Sequence, residues 1–133
     1  MMYYIKELIS ENEKMYGEEM TEKYEDQVVK ASYKKLKRMS KYEYEQVKLL
    51  EILLNNTIKE ALLLKDPSSH KAMEACKIHK EWIMKYWPSY SKVAHLELVK
   101  MYNNDDRFIV YYEKIGKGAT KFLLEAMTIY LKT

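Results

Sequence analysis

Glycine, proline and cysteine are all scarce in this chain. Three glycines and two prolines interrupt its 133 residues, too few for the many tight turns of a sheet protein. Cys76, the single cysteine, cannot form an internal disulfide. No apolar run approaches the roughly 20 residues of a membrane span, and the amino terminus lacks an export signal. The sequence therefore predicts an all-α, soluble and cytoplasmic protein.

The balance of charge also excludes several classes of partner. A net charge of +3 is too small to indicate nucleic acid or an anionic membrane as the default partner. Apolar residues make up 47% of the chain, enough for one sizeable core in a chain of this length. We therefore expect a single domain over residues 1–133.

Periodicity and helix ends divide the chain into a series of helices. Ser40 with Glu43 has the form of a capping box, Asp66 precedes a proline suited to the first helical position, and Ser91 and Asp105 are further caps. The glycines at 116 and 118 separate the last two helices. The predicted helices cover about residues 2–16, 18–39, 41–65, 67–86, 92–102, 106–115 and 119–130.

The helix predicted over residues 41–65 is apolar around much of its circumference. One stripe follows steps of three and four, and further leucines widen it. We expect such a helix to be central in the fold. The stripe consists of Val47, Leu50, Leu54, Ile58, Ala61 and Leu62.

Residues 1–40 differ in kind from residues 41–133. Between Ser10 and Ser40 the apolar residues are few, acidic side chains cluster at 11–26 and basic ones at 30–41. Such a segment buries little area to offset its ordering entropy, so we expect a mobile, charged lid over a stable core at 41–133. A solvated helix laid over the core is an equal alternative, and phosphate binding by the Lys-rich stretch is a lesser one.

Catalytic and metal motifs are missing from the sequence. His70 and His79 are nine residues apart and fall on opposite faces of one predicted helix, so they cannot share a metal ion. No His-Glu-x-x-His, paired Cys-x-x-Cys or acidic calcium loop is present. Cys76 with His79 resembles a thiol and its base, but no oxyanion donor or orienting group accompanies them. We expect no enzyme activity and no cofactor.

His79 shares a predicted helix face with Cys76, Trp82, Ile83 and Tyr86. A histidine on such a face is either a satisfied core residue or a polar anchor in an aromatic pocket, as in ligand sites that are mainly apolar. Thirteen tyrosines and nine methionines favour adaptable binding of large amphipathic ligands. They also serve as ordinary core residues, so both interpretations stay open.

Two spaced patterns in the last forty residues make a family resemblance visible. They read Leu98-x-x-Met101-Tyr102-x-x-Asp105-x-Arg107-Phe108-x-x-Tyr111 and Gly118-x-x-x-Phe122-Leu123-x-x-Ala126-x-x-x-Tyr130. This run resembles the TipAS-type antibiotic-recognition domain, the effector half of a branch of MerR-like transcription activators. Met15-Tyr16-Gly17 and the helix after Tyr42 are similar to earlier parts of that family.

The resemblance implies a globin-like helical bundle whose cleft holds bulky, apolar, peptide-like antibiotics, with an amino-terminal region that orders when ligand binds. Binding would serve resistance by sequestration or drug-responsive transcription. Asp105 and Arg107 are expected to cap and brace a helix. The ligand-binding residues that the resemblance and the His79 face indicate are His79, Trp82, Tyr86, Met101, Tyr102, Phe108, Tyr111 and Tyr112.

The chain also departs from the family pattern. Founding members trap antibiotics with a cysteine before the fifth helix, where this chain has Ser89, Tyr90 and Ser91, so we expect reversible binding. A winged helix-turn-helix does not fit into the first forty residues, so we expect no direct nucleic-acid contact by this chain. The initial Met1-Met2 weakly favours a short complete product.

Two other functions compete with drug binding. One is a protein-interaction module, in which a groove rich in Tyr and Met takes a partner helix. The other is a haem protein with His79 or His95 as axial ligand, which the family resemblance does not include.

Overall fold

The structure, a computed structural model, describes Lys34 and residues 38–132. These residues form five α-helices and no strand, which confirms the all-α prediction. No helix among them is long and apolar enough to cross a membrane. The helix predicted at 2–16 lies outside the described residues, and so does the one predicted at 18–39 except for Lys34, Arg38 and Met39. The five helices are α1 (Lys41–Leu64), α2 (His70–Ile83), α3 (Lys92–Tyr102), α4 (Asp106–Ile115) and α5 (Ala119–Tyr130).

Side-chain caps start three of the helices where the sequence predicts them. The Ser40 hydroxyl accepts from the Glu43 amide at 3.1 Å, before α1. Ser91 accepts from the amide of residue 94 at 3.2 Å, and Asp105 from that of residue 107 at 2.9 Å. Each cap satisfies an amide that has no partner within its helix. Short polar side chains therefore fix the starts of α1, α3 and α4.

The prediction of one helix from 67 to 86 is wrong at both ends. The Asp66 carboxylate accepts from the amide and the hydroxyl of Ser68, at 2.9 and 2.7 Å, which holds this segment in a turn. Ser69 then caps α2 by accepting from the Ala72 amide at 3.1 Å. At its carboxyl end α2 stops at Ile83. Backbone hydrogen bonds between residues three positions apart then form the turn before Pro88.

The described residues divide into two compact units. The first holds those up to Glu51 together with Trp82–Tyr90, and the second holds Ile52–Glu81 with the residues from Ser91 onward. In the second unit α5 packs against α3 and α4, and these two also touch each other. Its fully buried side chains include Leu54, Ile58, Cys76, His79, His95, Val99, Tyr102, Tyr112, Leu123 and Met127.

Glycines shape the junction between α4 and α5 in the second unit. A Cβ on Gly116 would lie 2.7 Å from Cδ1 of Leu62, so glycine permits the close approach of α1. Gly118 has a φ of 85°, in the left-handed region that glycine favours. The sequence prediction of a break at these two positions is therefore confirmed, with a separate physical reason for each.

One face of α1 does not fit the expectation of a central helix. Val47, Leu54 and Ile58 are buried as the apolar stripe predicts. The leucines that widen the stripe, among them Leu53 and Leu63, are instead exposed. The expectation that α1 is surrounded by protein is wrong for this second apolar face.

Candidate functional site

Aromatic rings of the second unit form one connected cluster with Tyr102 at its centre. The ring of Tyr102 lies 4.5 Å from that of Phe108 and 5.0 Å from that of Tyr112, measured between centroids. Tyr111 meets Tyr112 edge-on at 5.0 Å. Contacts of this geometry add to the gain from burial by roughly 0.5–1.5 kcal/mol each. Adjacent positions at the end of α3 and along α4 thus bring four predicted site residues together.

Two histidines extend the cluster through hydrogen bonds. His79 Nδ1 lies 2.8 Å from His95 Nε2, and the Tyr102 hydroxyl lies 3.3 Å from His79 Nε2. Two tautomer arrangements satisfy both contacts. In the first, the Tyr102 hydroxyl donates to Nε2 of His79, and Nδ1 of His79 donates to Nε2 of His95. In the second, Nε2 of His95 donates to Nδ1 of His79, and Nε2 of His79 donates to the Tyr102 hydroxyl. The three side chains form a neutral line of polar atoms through an apolar interior.

Burial keeps both histidines uncharged. Desolvation lowers the pKa of His79 well below its ordinary value, and the neighbouring His95 lowers it further. The pKa of His95 falls to about 4, first through burial and then through the positive charge of Lys80. Neutral imidazoles can exchange donor and acceptor roles without charge, which suits a polar anchor in an apolar site.

Tyr111 is held in place by a residue of α1. The amide Nδ2 of Asn55 donates to the Tyr111 hydroxyl at 2.8 Å, although 56 positions separate the two in the chain. The Oδ1 atom of Asn55 is buried and finds no hydrogen-bond partner among the described residues. Tyr111 itself is half-buried. This part of the cluster therefore places an aromatic side chain beside a hydrogen-bonding amide.

Trp82 and Tyr86, the other two aromatic site residues, belong to the first unit. Their rings meet edge-on at 5.5 Å, and both side chains are buried. Burial raises the pKa of the Tyr86 hydroxyl, and the charges of Glu51 and Tyr44 raise it further. Trp87 and Tyr90 form a second ring pair in this unit, 6.3 Å apart. The predicted aromatic residues thus fall into one group in each unit.

Met101 completes the predicted set. It precedes Tyr102 near the end of α3 and is half-buried. The structure brings His79, Tyr102, Phe108, Tyr111 and Tyr112 together. The ligand-binding role of all eight residues stays a prediction.

Asp105 and Arg107 brace α4 as the sequence predicts. Besides capping the helix, the Asp105 carboxylate accepts from Nε and Nη2 of Arg107, at 3.1 and 2.9 Å. Both oxygens of the Asp105 carboxylate accept from the Arg107 guanidinium, and this two-pronged contact fixes the orientation of both groups. These two residues thus hold the turn that places Phe108 beside Tyr102.

Glu113 provides a cap for α5 that sequence analysis did not anticipate. Gly118, the residue before α5, has no side chain, and Glu113 of α4 accepts instead from the amides of Gly118 and Thr120 at 2.8 and 3.0 Å. The Thr120 hydroxyl donates to the same carboxylate at 2.8 Å. Burial raises the pKa of Glu113, but these bonds and Lys117 outweigh it and the net pKa lies below the usual range.

Cys76 is fully buried in α2. Burial raises the pKa of its thiol to about 12, so at neutral pH the group is protonated and a poor nucleophile. His79 follows one turn later, but its lowered pKa reflects burial and a histidine partner. Among residues 38–132 and Lys34, no three His, Cys, Asp or Glu side chains lie close enough to hold a metal ion.

Sequence reasoning missed His95 and Asn55 as parts of the cluster. The sequence indicates His95 only as a candidate haem ligand, because its bond to His79 spans 16 positions. Asn55 and Asn56 interrupt an otherwise apolar stretch of α1. That interruption was the available signal, because a polar residue beside a buried helix face requires a partner.

Comparison with known proteins adds one finding. A family model described as the TipAS antibiotic-recognition domain matches residues 16–130, which confirms the resemblance drawn from the sequence. No curated protein and no solved structure matches the chain significantly. The match ends at Tyr130, the last residue of α5, and so includes both aromatic groups.

Proposed function

The chain belongs to the TipAS antibiotic-recognition domain family, and on that premise we propose that it binds bulky, apolar, peptide-like antibiotics or other multi-ring drugs. The observation that carries this proposal is the family match over residues 16–130. In the cytoplasm, drug binding by this chain has one of two biological roles. It sequesters the drug and so confers resistance, or it is the effector part of a MerR-like transcription regulator.

Recognition in this proposal relies on rings and a few polar groups. Ring faces and edges stack against the multi-ring parts of a ligand, and apolar burial supplies most of the affinity. The half-buried Tyr111 and the hydrogen-bond acceptor Oδ1 of Asn55 orient the ligand. The residues assigned to ligand binding are His79, Trp82, Tyr86, Met101, Tyr102, Phe108, Tyr111 and Tyr112.

Binding is reversible and involves no catalysis in this proposal. Covalent capture of a dehydroamino acid needs a thiolate within reach of the ligand. Cys76 is buried, with a thiol pKa of about 12, and is unsuited to that role. Ligand should therefore leave intact when the complex is denatured, and the protein should keep its unmodified mass.

The whole chain acts as one ligand-binding domain, with residues 1–40 as its lid and 41–133 as its core. The ligand supplies apolar surface that the charged amino-terminal segment lacks. Closure over the ligand should give a negative heat-capacity change on binding. The melting temperature should rise with ligand concentration, because ligand binds only the folded protein.

A titration with a panel of thiopeptides and other multi-ring antibiotics tests the proposal. Trp82 and Trp87 report binding through their fluorescence, and melting is recorded in parallel. Phe108→Leu, which removes a ring from the cluster, should weaken binding by about tenfold, since stacking and area are both lost. Val110→Ala, at an exposed position of the same helix, is the matched control and should bind as the unaltered protein does.

The outcome against the proposal is equally definite. No change in fluorescence or melting across the panel contradicts drug binding. Equal affinity of the Phe108 and Val110 variants contradicts the assigned residues alone. Raised drug tolerance in a sensitive bacterium that produces only this chain would favour sequestration over a transcriptional role.

A further inference from the structure

One buried oxygen beside the aromatic cluster has no hydrogen-bond partner among the described residues. It is Oδ1 of Asn55. Nδ2 of the same side chain donates to the Tyr111 hydroxyl at 2.8 Å, so Oδ1 lies within about 5 Å of that hydroxyl. Buried acceptors in proteins nearly always receive a hydrogen bond, because water can no longer supply one. This oxygen therefore requires an explanation.

The structure of α1 does not explain Asn55. The residue lies in the middle of the helix, where asparagine is less favourable than leucine because its amide competes with helical backbone bonds. Asn103 shows the usual structural use of this side chain, since its amide donates to the backbone carbonyls of Val99 and Thr120. Asn55 uses its donor atom for a side chain of another helix. A donor from a bound molecule would complete the hydrogen bonding of its acceptor atom.

Asn55 and Tyr111 form the accessible edge of the cluster. Both side chains are half-buried, whereas Tyr102 and Tyr112 of the same cluster are fully buried. A ligand ring that packs against Tyr111 is therefore placed beside the Asn55 amide. A small rotation about the last side-chain torsion of Asn55, which has a broad energy minimum, turns Oδ1 toward the ligand. This edge thus offers a ring and a hydrogen-bond acceptor to the same ligand.

We propose that Asn55 accepts a hydrogen bond from an amide N–H of the ligand and so determines which ring compounds the site prefers. The proposal rests on the drug binding proposed above, and it narrows the ligand class to ring systems that carry a secondary amide. Peptide-like compounds supply such groups through their backbone. Folding has already removed water from Oδ1, so the ligand gains a hydrogen bond without further desolvation of the acceptor.

The same oxygen should act against ligands that present an acceptor to it. An ester in place of the amide sets its own oxygen against Oδ1 of Asn55, so two acceptors face each other with no hydrogen between them. Sites built around a hydrogen bond reject analogues that lack the matching group, because a buried polar atom is then left unpaired. We therefore expect the protein to distinguish an amide from an ester of the same shape.

Two compounds that differ only in this group test the proposal. They are the N-methylamide and the methyl ester of the same anthracenecarboxylic acid, which is apolar, multi-ring and fluorescent. Fluorescence anisotropy during titration with the full chain gives both dissociation constants. The unaltered protein should bind the amide about tenfold more tightly than the ester, although the ester is the more apolar compound.

Variants at two neighbouring positions of α1 assign the preference to one side chain. Asn55→Leu removes the amide and keeps a side chain of similar shape, so the preference for the N-methylamide should disappear. Asn56→Leu, the same change at the exposed neighbouring position, is the matched control and should keep the preference. If Asn55 only braced Tyr111, its loss would weaken binding of both compounds by the same factor and leave the ratio of their affinities unchanged.

The comparison of the two compounds in the unaltered protein needs no variant to fold. Equal binding, or tighter binding of the ester, overturns the role of Asn55 and leaves drug binding intact. An amide preference that survives in Asn55→Leu also overturns that role. If neither compound binds the unaltered protein, multi-ring recognition itself is contradicted, and the role of Asn55 falls with it.

Discussion

His79 and His95 share a 2.8 Å hydrogen bond between Nδ1 and Nε2 in the buried interior of the second unit. Neither ring can gain a proton there without placing a charge in apolar surroundings. In the unfolded chain both are solvated and titrate near pH 6.5. The pair therefore links folding to pH.

The first prediction is a loss of stability in mild acid. Between pH 6.5 and about 4 the unfolded state binds protons that the folded histidines refuse, since their pKa values are lowered. Stability should be fully present above pH 6.5 and fall by up to about 1.4 kcal/mol per pH unit for each histidine below it. Urea unfolding from pH 8 to pH 4 measures this.

His70→Gln is the control for the acid prediction. His70 is exposed at the start of α2, outside the buried pair, so this variant should keep the loss of stability that His79 and His95 cause in acid. A free energy of unfolding that stays level from pH 6.5 to pH 5 would contradict the neutral pair.

The second prediction concerns the carboxylate that caps α5. Glu113→Ala removes the acceptor for two amides and one hydroxyl, at Gly118 and Thr120. We expect a loss of about 1–2 kcal/mol, the usual range for a helix cap. Glu125→Ala, at an exposed position of α5, should change stability little. Urea unfolding at neutral pH compares them, and equal stability would show that Glu113 does not cap.

A third prediction separates the two functions of Asp105. Asp105→Asn keeps an oxygen for the Arg107 amide but loses the two-pronged bond to the guanidinium, whereas Asp105→Ala loses both. The Ala variant should lose about 1–2 kcal/mol, and the Asn variant less. Thermal melting ranks the three proteins, and an Asn variant as unstable as the Ala variant would assign the whole effect to the ion pair.

The fourth prediction is a gain in stability at the end of α1. Lys65 has a φ of 53°, a left-handed conformation that costs residues with a Cβ roughly 1–2 kcal/mol. Lys65→Gly should therefore raise stability by about 0.5–1 kcal/mol despite the greater freedom of glycine when unfolded. Lys48→Gly, within the same helix, should lower stability by about 1 kcal/mol. Two changes of the same sign in urea unfolding would exclude this explanation.

Local chemistry explains how much of the fold the sequence can predict. The bounds of α4 follow from Asp105 and Gly116, a cap and a break that act over a few residues. The error at α2 has a local cause as well, because Ser69 competes with Asp66 for the role of cap and wins it. The globin-like arrangement predicted for the helices is not tested by these local features.

The site is less predictable than the helices because its contacts join distant parts of the chain. The family resemblance selected Tyr102, Phe108 and Tyr112, which the structure brings together. It could not reveal the bond from Asn55 to Tyr111, since no local pattern relates α1 to α4. Partners that only tertiary packing brings together leave no periodic signal in the sequence.

The enclosure of Cys76 has a practical consequence. A thiol reagent can reach this sulfur only when the surrounding helices separate, and the chain holds no other thiol to confuse the signal. The rate of labelling under native conditions therefore measures how often the protein opens locally. Any compound that binds the closed form should lower the rate of Cys76 labelling in proportion to its occupancy. The measurement needs no fluorophore and no engineered probe.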